Sequence, residues 1–161
     1  VKALKELEAH GAISHNHEIL VIPSVNRFSM NVGKRFWPTD NSDINRAFPG
    51  DVNGDTTKQI AGTLFDRIKG YSYGIHFASF YMPGDFIPHV KMMDTGFQSA
   101  SLANLFGLQY VVIRKPKPMD TVTLNYNWQM NGTNAFSIYT NSTDMIDEKS
   151  ARQAVSSVLR F

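Results

Sequence analysis

The residues best equipped for chemistry lie in one stretch, Arg35-Phe36-Trp37-Pro38-Thr39-Asp40-Asn41-Ser42-Asp43-Ile44-Asn45-Arg46-Ala47-Phe48-Pro49-Gly50. Asn45 and Arg46 are neighbours, so amide donors and a planar five-donor guanidinium can converge on one anion, most naturally a carboxylate. A structural use is equally open, in which Arg46 pairs with Asp43 or Asp40 and staples the loop. His76 closes the otherwise apolar run Tyr71–Phe77, and an imidazole nitrogen is a favoured zinc ligand. A lone histidine also serves as a satisfied core or rim residue. His15-Asn16-His17-Glu18 has a His-x-x-Glu spacing that would put both ligands on one face of a helix. It runs instead into an apolar strand pattern, where positions three apart face opposite ways. Asp144, Asp147 and Glu148 could hold a general base, although acidic residues at a helix start commonly cap it. Arg114, Lys117, Tyr126 and Tyr139 could touch a ligand, but their spacing points to no particular chemistry.

Several elements must position these groups. Leu4 and Leu7 mark a short amphipathic helix over 2–10, closed by Gly11. Ile19-Leu20-Val21-Ile22-Pro23 reads as a buried strand, followed by a polar connection to residue 55, long enough to imply a functional loop. Thr56 with Gln59 forms a capping-box pattern, and Ile60, Leu64, Phe65 and Ile68 recur at helical spacing up to Gly70. Strands are expected over 71–77, 86–92, 110–113 and 134–139, helices over 97–106 and, weakly patterned, 121–130. A last helix opens near Asp147 with Ala151, Val155, Val158 and Leu159 as its apolar face. Alternating strands and helices predict an α/β fold with a mainly parallel or mixed sheet flanked by helices. In such a sheet the ligand crevice lies beyond the carboxyl ends of the strands. The 35–46 loop, His76 and the residues after Tyr139 all fall at such ends, so Arg35, Asn45, Arg46 and His76 are expected to face one pocket.

Bulk composition narrows the function classes. The 161 residues are 42% hydrophobic and 19% charged, enough for one domain with a sizeable core. A net charge of +2, from 16 basic and 14 acidic residues without a basic block, gives nucleic-acid binding no electrostatic support. No window has the roughly 18 apolar residues of a membrane span. With zero cysteines, disulfides, thiolate nucleophiles and thiolate metal sites are excluded, and a metal must be held by His, Asp or Glu. The same absence is compatible with a reducing cytosol, and a cytoplasmic location is the expectation. Val1 opens inside a helical pattern and Phe161 ends inside another, as expected of a segment of a longer protein.

Asp43-Ile44-Asn45-Arg46-Ala47-Phe48-Pro49-Gly50, preceded by Pro23-x-x-Asn26 and Arg35, resembles the succinylglutamate desuccinylase/aspartoacylase family, whose hallmark is Asp-Leu-Asn-Arg-x-Phe-Pro-Gly. The resemblance is strong over 20–76 and weak over 77–132. It implies an incomplete zinc-carboxypeptidase-like core, residues 1–161 being the central part of one catalytic domain. It further implies a zinc-dependent hydrolase of the amide bond of an N-acyl amino acid or related small carboxylate. On that likeness Asn45 and Arg46 clamp a substrate carboxylate, Arg35 polarises the scissile carbonyl, and His76 is the third zinc ligand. The family's other two ligands, a His-x-x-Glu, precede the first residue here. Gly74 stands where the family carries aspartate, and Tyr139 where it carries its catalytic glutamate. Tyrosine, ordinarily titrating near pH 10, is a poor general base at neutral pH. Two alternatives follow: a carboxylate-binding module without catalysis, and a metallocarboxypeptidase acting on peptides. One donor of three predicts weak zinc binding and no activity for this stretch alone.

Overall fold

A computed structural model describes residues 1–80, 82–141, 145 and 147–161. Its centre is a sheet of β1 (Tyr73–Ala78), β2 (His89–Met93), β3 (Tyr110–Arg114) and β4 (Asn134–Tyr139) in the order β1-β4-β2-β3. The pairs β1–β4 and β2–β3 are parallel, and β2 runs antiparallel to β4. The sheet is therefore mixed, and β4, last in sequence, lies in its interior. That position explains its pattern: Ala135, Phe136, Ser137 and Ile138 are all buried, as a strand covered on both faces requires.

One face carries α3 (Thr56–Ile68) and α4 (Leu124–Met130). Phe48, Ala61, Phe65, Ile68, Leu124, Trp128 and Ala135 form a core there, with Ile44 and Ala47 packed against it. The motif Asp43–Gly50 thus folds onto this layer through its own apolar residues. Gly50 has φ +95°, and a Cβ at that position would lie 2.0 Å from the backbone nitrogen of Gly62. The motif must end in glycine because the loop passes in near contact with the α3 backbone. The other face holds Val90, Met92, Ala103, Phe106, Phe136 and Ile138, under the 3-10 turn Ala100–Phe106 and α5 (Glu148–Arg160).

Helices α1 (Lys2–Ala9) and α2 (Arg27–Asn31) precede this core. Gly11, at φ +67°, follows the first of them, as the C-terminal signal predicts. The expected strand at Ile19–Ile22 does not form. These four side chains are 40–50% exposed, and the run joins no ladder among the described residues. An apolar run has strand propensity but needs a neighbouring backbone to become a strand. The segment is tied instead by the Tyr71 hydroxyl, which donates to Glu18 Oε1 at 2.5 Å. Ile22 and Val25 then line a cavity of about 460 Å³ with Ile60 and Leu64 of α3.

Other expectations are adjusted. The Thr56/Gln59 capping box is absent: Asp55 is the N-cap residue, and Gln59 Nε2 donates to the Gly54 carbonyl. Asp40, distant in sequence, accepts both the Thr57 backbone N–H (2.8 Å) and its hydroxyl (2.7 Å). The expected helix over 97–106 is a 3-10 turn, and 124–130 is helical despite its weak pattern. Ser150, Ala154 and Ser157 are the buried residues of α5, with Val158 packing beside them, while Val155 and Leu159 stay more than 40% exposed. Small side chains let that helix approach the 3-10 turn Ala100–Phe106, so its buried face is offset from the larger apolar residues.

Candidate functional site

Asp43 organises the 35–46 loop. Its Oδ1 accepts the Asn45 N–H at 2.9 Å, which starts the 3-10 turn Ile44–Arg46, and its Oδ2 receives Arg35 through Nη2 (2.9 Å) and Nε (3.3 Å). The staple foreseen for Arg46 is thus made by Arg35. Asp40 is held too. Burial alone would raise its carboxyl, but hydrogen bonds from Thr57 and Ser42 outweigh that and keep it below the usual carboxylate range.

Asn45 and Arg46 are anchored from the far end of the chain. Leu124 donates its backbone N–H to Asn45 Oδ1 at 3.2 Å, and Arg46 Nη1 donates to the Met119 carbonyl at 2.9 Å. The segment that holds them is fixed by Asp120, only 2% exposed, which takes a bidentate pair from Arg114 (2.6 and 2.7 Å) and the Lys117 N–H (2.7 Å). Arg114 holds the Asp120 carboxyl down at about 2 against the opposing effect of burial. Arg114 was not marked as structural by its spacing. Its partner lies six residues on, beyond two prolines, and only the folded turn Pro118–Asp120 brings them together.

His76 lies on the face that carries α3 and α4. In register it opposes Ser137, which in turn opposes Lys91, so these three side chains share that face. The imidazole is 6.3 Å from the Trp128 ring, centroid to centroid. Burial, and secondarily the Lys91 ammonium, pushes it down to about 4, so the ring is neutral at pH 7. A neutral ring is the state in which histidine ligates metals. Gly74, two residues earlier on the same face, has a physical reason: a Cβ there would sit 2.8 Å from the Trp128 indole.

Tyr139 ends β4 and packs among aromatics. It stacks on His89 (4.8 Å, 6° between planes) and meets Phe80 at 5.0 Å, with Lys91 Nζ 5.6 Å from its ring centre. His89 begins β2, which brings it onto this ring. Asp144 lies outside the described residues. Asp147 caps α5 by accepting the Lys149 and Ser150 N–H groups, a structural rather than catalytic placement.

Asn45 and Arg46 therefore belong to the turn packed on the core of α3 and α4, Arg35 is joined to that turn through Asp43, and His76 belongs to the sheet face that carries those helices. Among the described residues no group of three or more His, Cys, Asp or Glu side chains could hold a metal. His76 is a single donor, so these residues alone do not fit a zinc centre. Sequence reasoning missed Ser137, Asn125, Gln129 and Asp120, all polar and buried. The available signal was Asn125 and Gln129 four apart on the helix that carries Trp128.

The family model for the succinylglutamate desuccinylase/aspartoacylase catalytic domain matches residues 2–161. The chain belongs to the succinylglutamate desuccinylase/aspartoacylase family. As a member of that family it resembles the product-bound ectoine utilization protein EutE (DoeB) of Ruegeria pomeroyi. That match has a TM-score of 0.79 and 22% identity, over 98% of this chain and 50% of that one. A succinylglutamate desuccinylase/aspartoacylase from Rhodobacter sphaeroides matches with a TM-score of 0.74 and 22% identity, over 86% and 42% of the two chains. Among curated proteins, the N-alpha-acetyl-L-2,4-diaminobutyric acid deacetylase of Halomonas elongata is 37% identical over 50 residues, 31% of this chain and 14% of the relative. This family member spans about half the length of its structural relatives or less. No helix among its described residues is long and apolar enough to cross a membrane.

Proposed function

We propose that the whole protein is a zinc-dependent deacylase that hydrolyses the amide bond of an N-acyl amino acid or related small carboxylate. Residues 1–161 are read as the central part of its single catalytic domain. The reading rests on family membership, and one observation carries it: Asn45 and Arg46, in the motif of that family, are each tied to the segment 119–124. Two potential carboxylate donors are thereby preset in position before a ligand arrives, which lowers the ordering cost of binding.

In this proposal the Arg46 guanidinium and the Asn45 amide hydrogens hold the substrate carboxylate. Arg35 is directed at the oxygen that gains charge as water adds to the acyl carbon, after exchanging its bond to Asp43. Tyr139, in the place of the family's glutamate, acts as a hydrogen-bond donor. Zinc, when bound, supplies an activated water and a Lewis acid. His76 would supply one of its ligands, and a full site would need others beyond the described residues. The added water ends as the hydroxyl of the released acid and a hydrogen on the freed amine. The protein is cytoplasmic in this reading.

The test is hydrolysis by the whole zinc-loaded protein of N-acetyl-2,4-diaminobutyrate, N-succinylglutamate, N-acetylaspartate and a C-terminal peptide substrate. Turnover abolished by a chelator, with Arg46→Ala raising KM at least ~10-fold, is the expected result for a charge-assisted contact. Cleavage of the peptide alone would identify a carboxypeptidase instead. Carboxylate binding with no turnover on any compound would identify a binding module, a reading that the aromatic packing of Tyr139 favours. For residues 1–161 alone, the expectation is weak zinc binding in isothermal titration and no turnover.

A further inference from the structure

The segment 114–124 reaches Asn45 and Arg46 through two hydrogen bonds, and each has only one possible direction. The Leu124 backbone N–H can only donate, so the Asn45 atom that receives it at 3.2 Å is the amide oxygen. The Met119 carbonyl can only accept, so Arg46 Nη1 gives it a hydrogen at 2.9 Å. The Asn45 Nδ2 group and the Nε–Nη2 edge of Arg46 take no partner among the described residues. That edge offers two parallel N–H bonds, the arrangement that matches both oxygens of a carboxylate.

Both anchors lie on backbone whose orientation Asp120 sets. The Met119 carbonyl and the Asp120 N–H belong to one trans peptide unit, so they point in opposite directions. The N–H is turned to the Lys117 carbonyl at 2.8 Å, which leaves the Met119 oxygen facing away from that bond, to Arg46. The Asp120 carboxylate, 2% exposed, locks the turn by taking the Lys117 N–H at 2.7 Å and both Nη groups of Arg114 at 2.6 and 2.7 Å. Arg114 closes β3, so the pair ties the turn to the sheet. The Asp120 carbonyl takes the N–H (2.9 Å) and the hydroxyl (2.7 Å) of Thr123, the N-cap of α4, and Leu124 is the first residue of that helix.

We propose that Asp120 is a positioning residue for the substrate carboxylate. Paired with Arg114, it holds the peptide unit 119–120 and the start of α4 so that Arg46 and Asn45 are both fixed before an anion arrives. Asp120 touches no substrate itself and acts through the Met119 carbonyl and the Leu124 N–H. Its part in binding rests on the function proposed above, whereas its immobilisation of the Arg46 guanidinium does not.

The test uses the whole protein and has two readouts. The first needs no ligand: nitrogen-15 NMR follows exchange of the two Arg46 Nη groups by rotation of the guanidinium about its Nε–Cζ bond. The wild type is expected to show two separate Nη signals. Asp120→Asn, which turns an amide N–H against the Arg114 donors, should speed the exchange roughly tenfold, the worth of about one hydrogen bond. Arg114→Lys, which keeps the charge and loses the fork, should speed it in the same direction. Gly132→Ala, which strains the turn between α4 and β4, should leave it unchanged and so separates positioning from general loosening. The second readout is kinetic: Asp120→Asn should raise KM for N-acyl amino acids roughly tenfold with little change in kcat, and far less in an Arg46→Ala background. Averaged Nη signals in the wild type, exchange unmoved by Asp120→Asn, or an equal rise in KM with and without Arg46 would overturn the proposal. If Asp120→Asn fails to fold, Arg114→Lys decides by the same readouts. If no N-acyl amino acid is bound, the proposed function fails, and the ligand-free exchange rates still decide whether Asp120 holds Arg46.

Discussion

Asn45 Oδ1 receives the backbone N–H of Leu124 across 79 residues of sequence, at 3.2 Å. One side-chain oxygen thus joins the Asp43–Gly50 motif to the first turn of α4. Asn45→Asp keeps an acceptor there and Asn45→Ala removes it. Asn45→Ala is expected to cost about 1 kcal/mol in urea unfolding, with an unchanged denaturant slope. Asn45→Asp should preserve most of that stability yet weaken carboxylate binding, since it exchanges two donors for a charge.

Asp120 sets an acid-side dependence. Its carboxyl, brought to about 2 chiefly by Arg114, binds its proton less readily folded than unfolded, where the ordinary value is near 4. The contribution is complete above pH ~4 and is lost as the pH falls toward 2, amounting to about 2 kcal/mol. Urea midpoints for the wild type and Asp120→Asn should differ most at neutral pH and converge near pH 2. Equal differences at both values would show that the Arg114 pair is not the source.

Gly74 yields its side-chain space to Trp128. Gly74→Ala should lower stability by about 1–3 kcal/mol through overpacking, with a lower melting temperature. Gly74→Asp should be worse, because it drives a carboxylate against an indole.

Gly50 and Gly132 separate two reasons for glycine. Both have positive φ, +95° and +85°, but nothing lies within 4 Å of a Cβ at Gly132, whereas Gly62 blocks one at Gly50. Gly132→Ala should cost about 1–2 kcal/mol from backbone strain alone. Gly50→Ala adds displacement of the loop from α3 and should cost at least ~3 kcal/mol. Similar melting temperatures for the two variants would contradict the near-contact with Gly62.

The helix Thr56–Ile68 was legible because Leu64, Phe65 and Ile68, recurring at helical spacing, are residues that pack into the core. The Asp43–Gly50 motif was legible as a unit, but its internal wiring was not. Arg35 takes Asp43, while Arg46 turns to a carbonyl on a distant segment. Such exchanges depend on which backbone passes nearby, and residue spacing does not encode that. Ile19–Ile22 misled because hydrophobicity reports a tendency to leave water, not the presence of something to pack against. The buried polar side chains Asn125, Gln129 and Ser137 were hidden because they come from two elements, α4 and β4, whose meeting residue spacing does not encode.

The order β1-β4-β2-β3 has a consequence for synthesis on the ribosome. Of the four described strands, the one that separates β1 from β2 is the last to be made, so β1 and the pair β2–β3 are not joined to each other through it until residue 139 has emerged. Before Asn134 is made, the described strands lack the one that joins β1 to the β2–β3 pair, a non-local pairing that forms late. Assembly of this layer is accordingly a single late event, in which one strand closes the gap between two waiting halves.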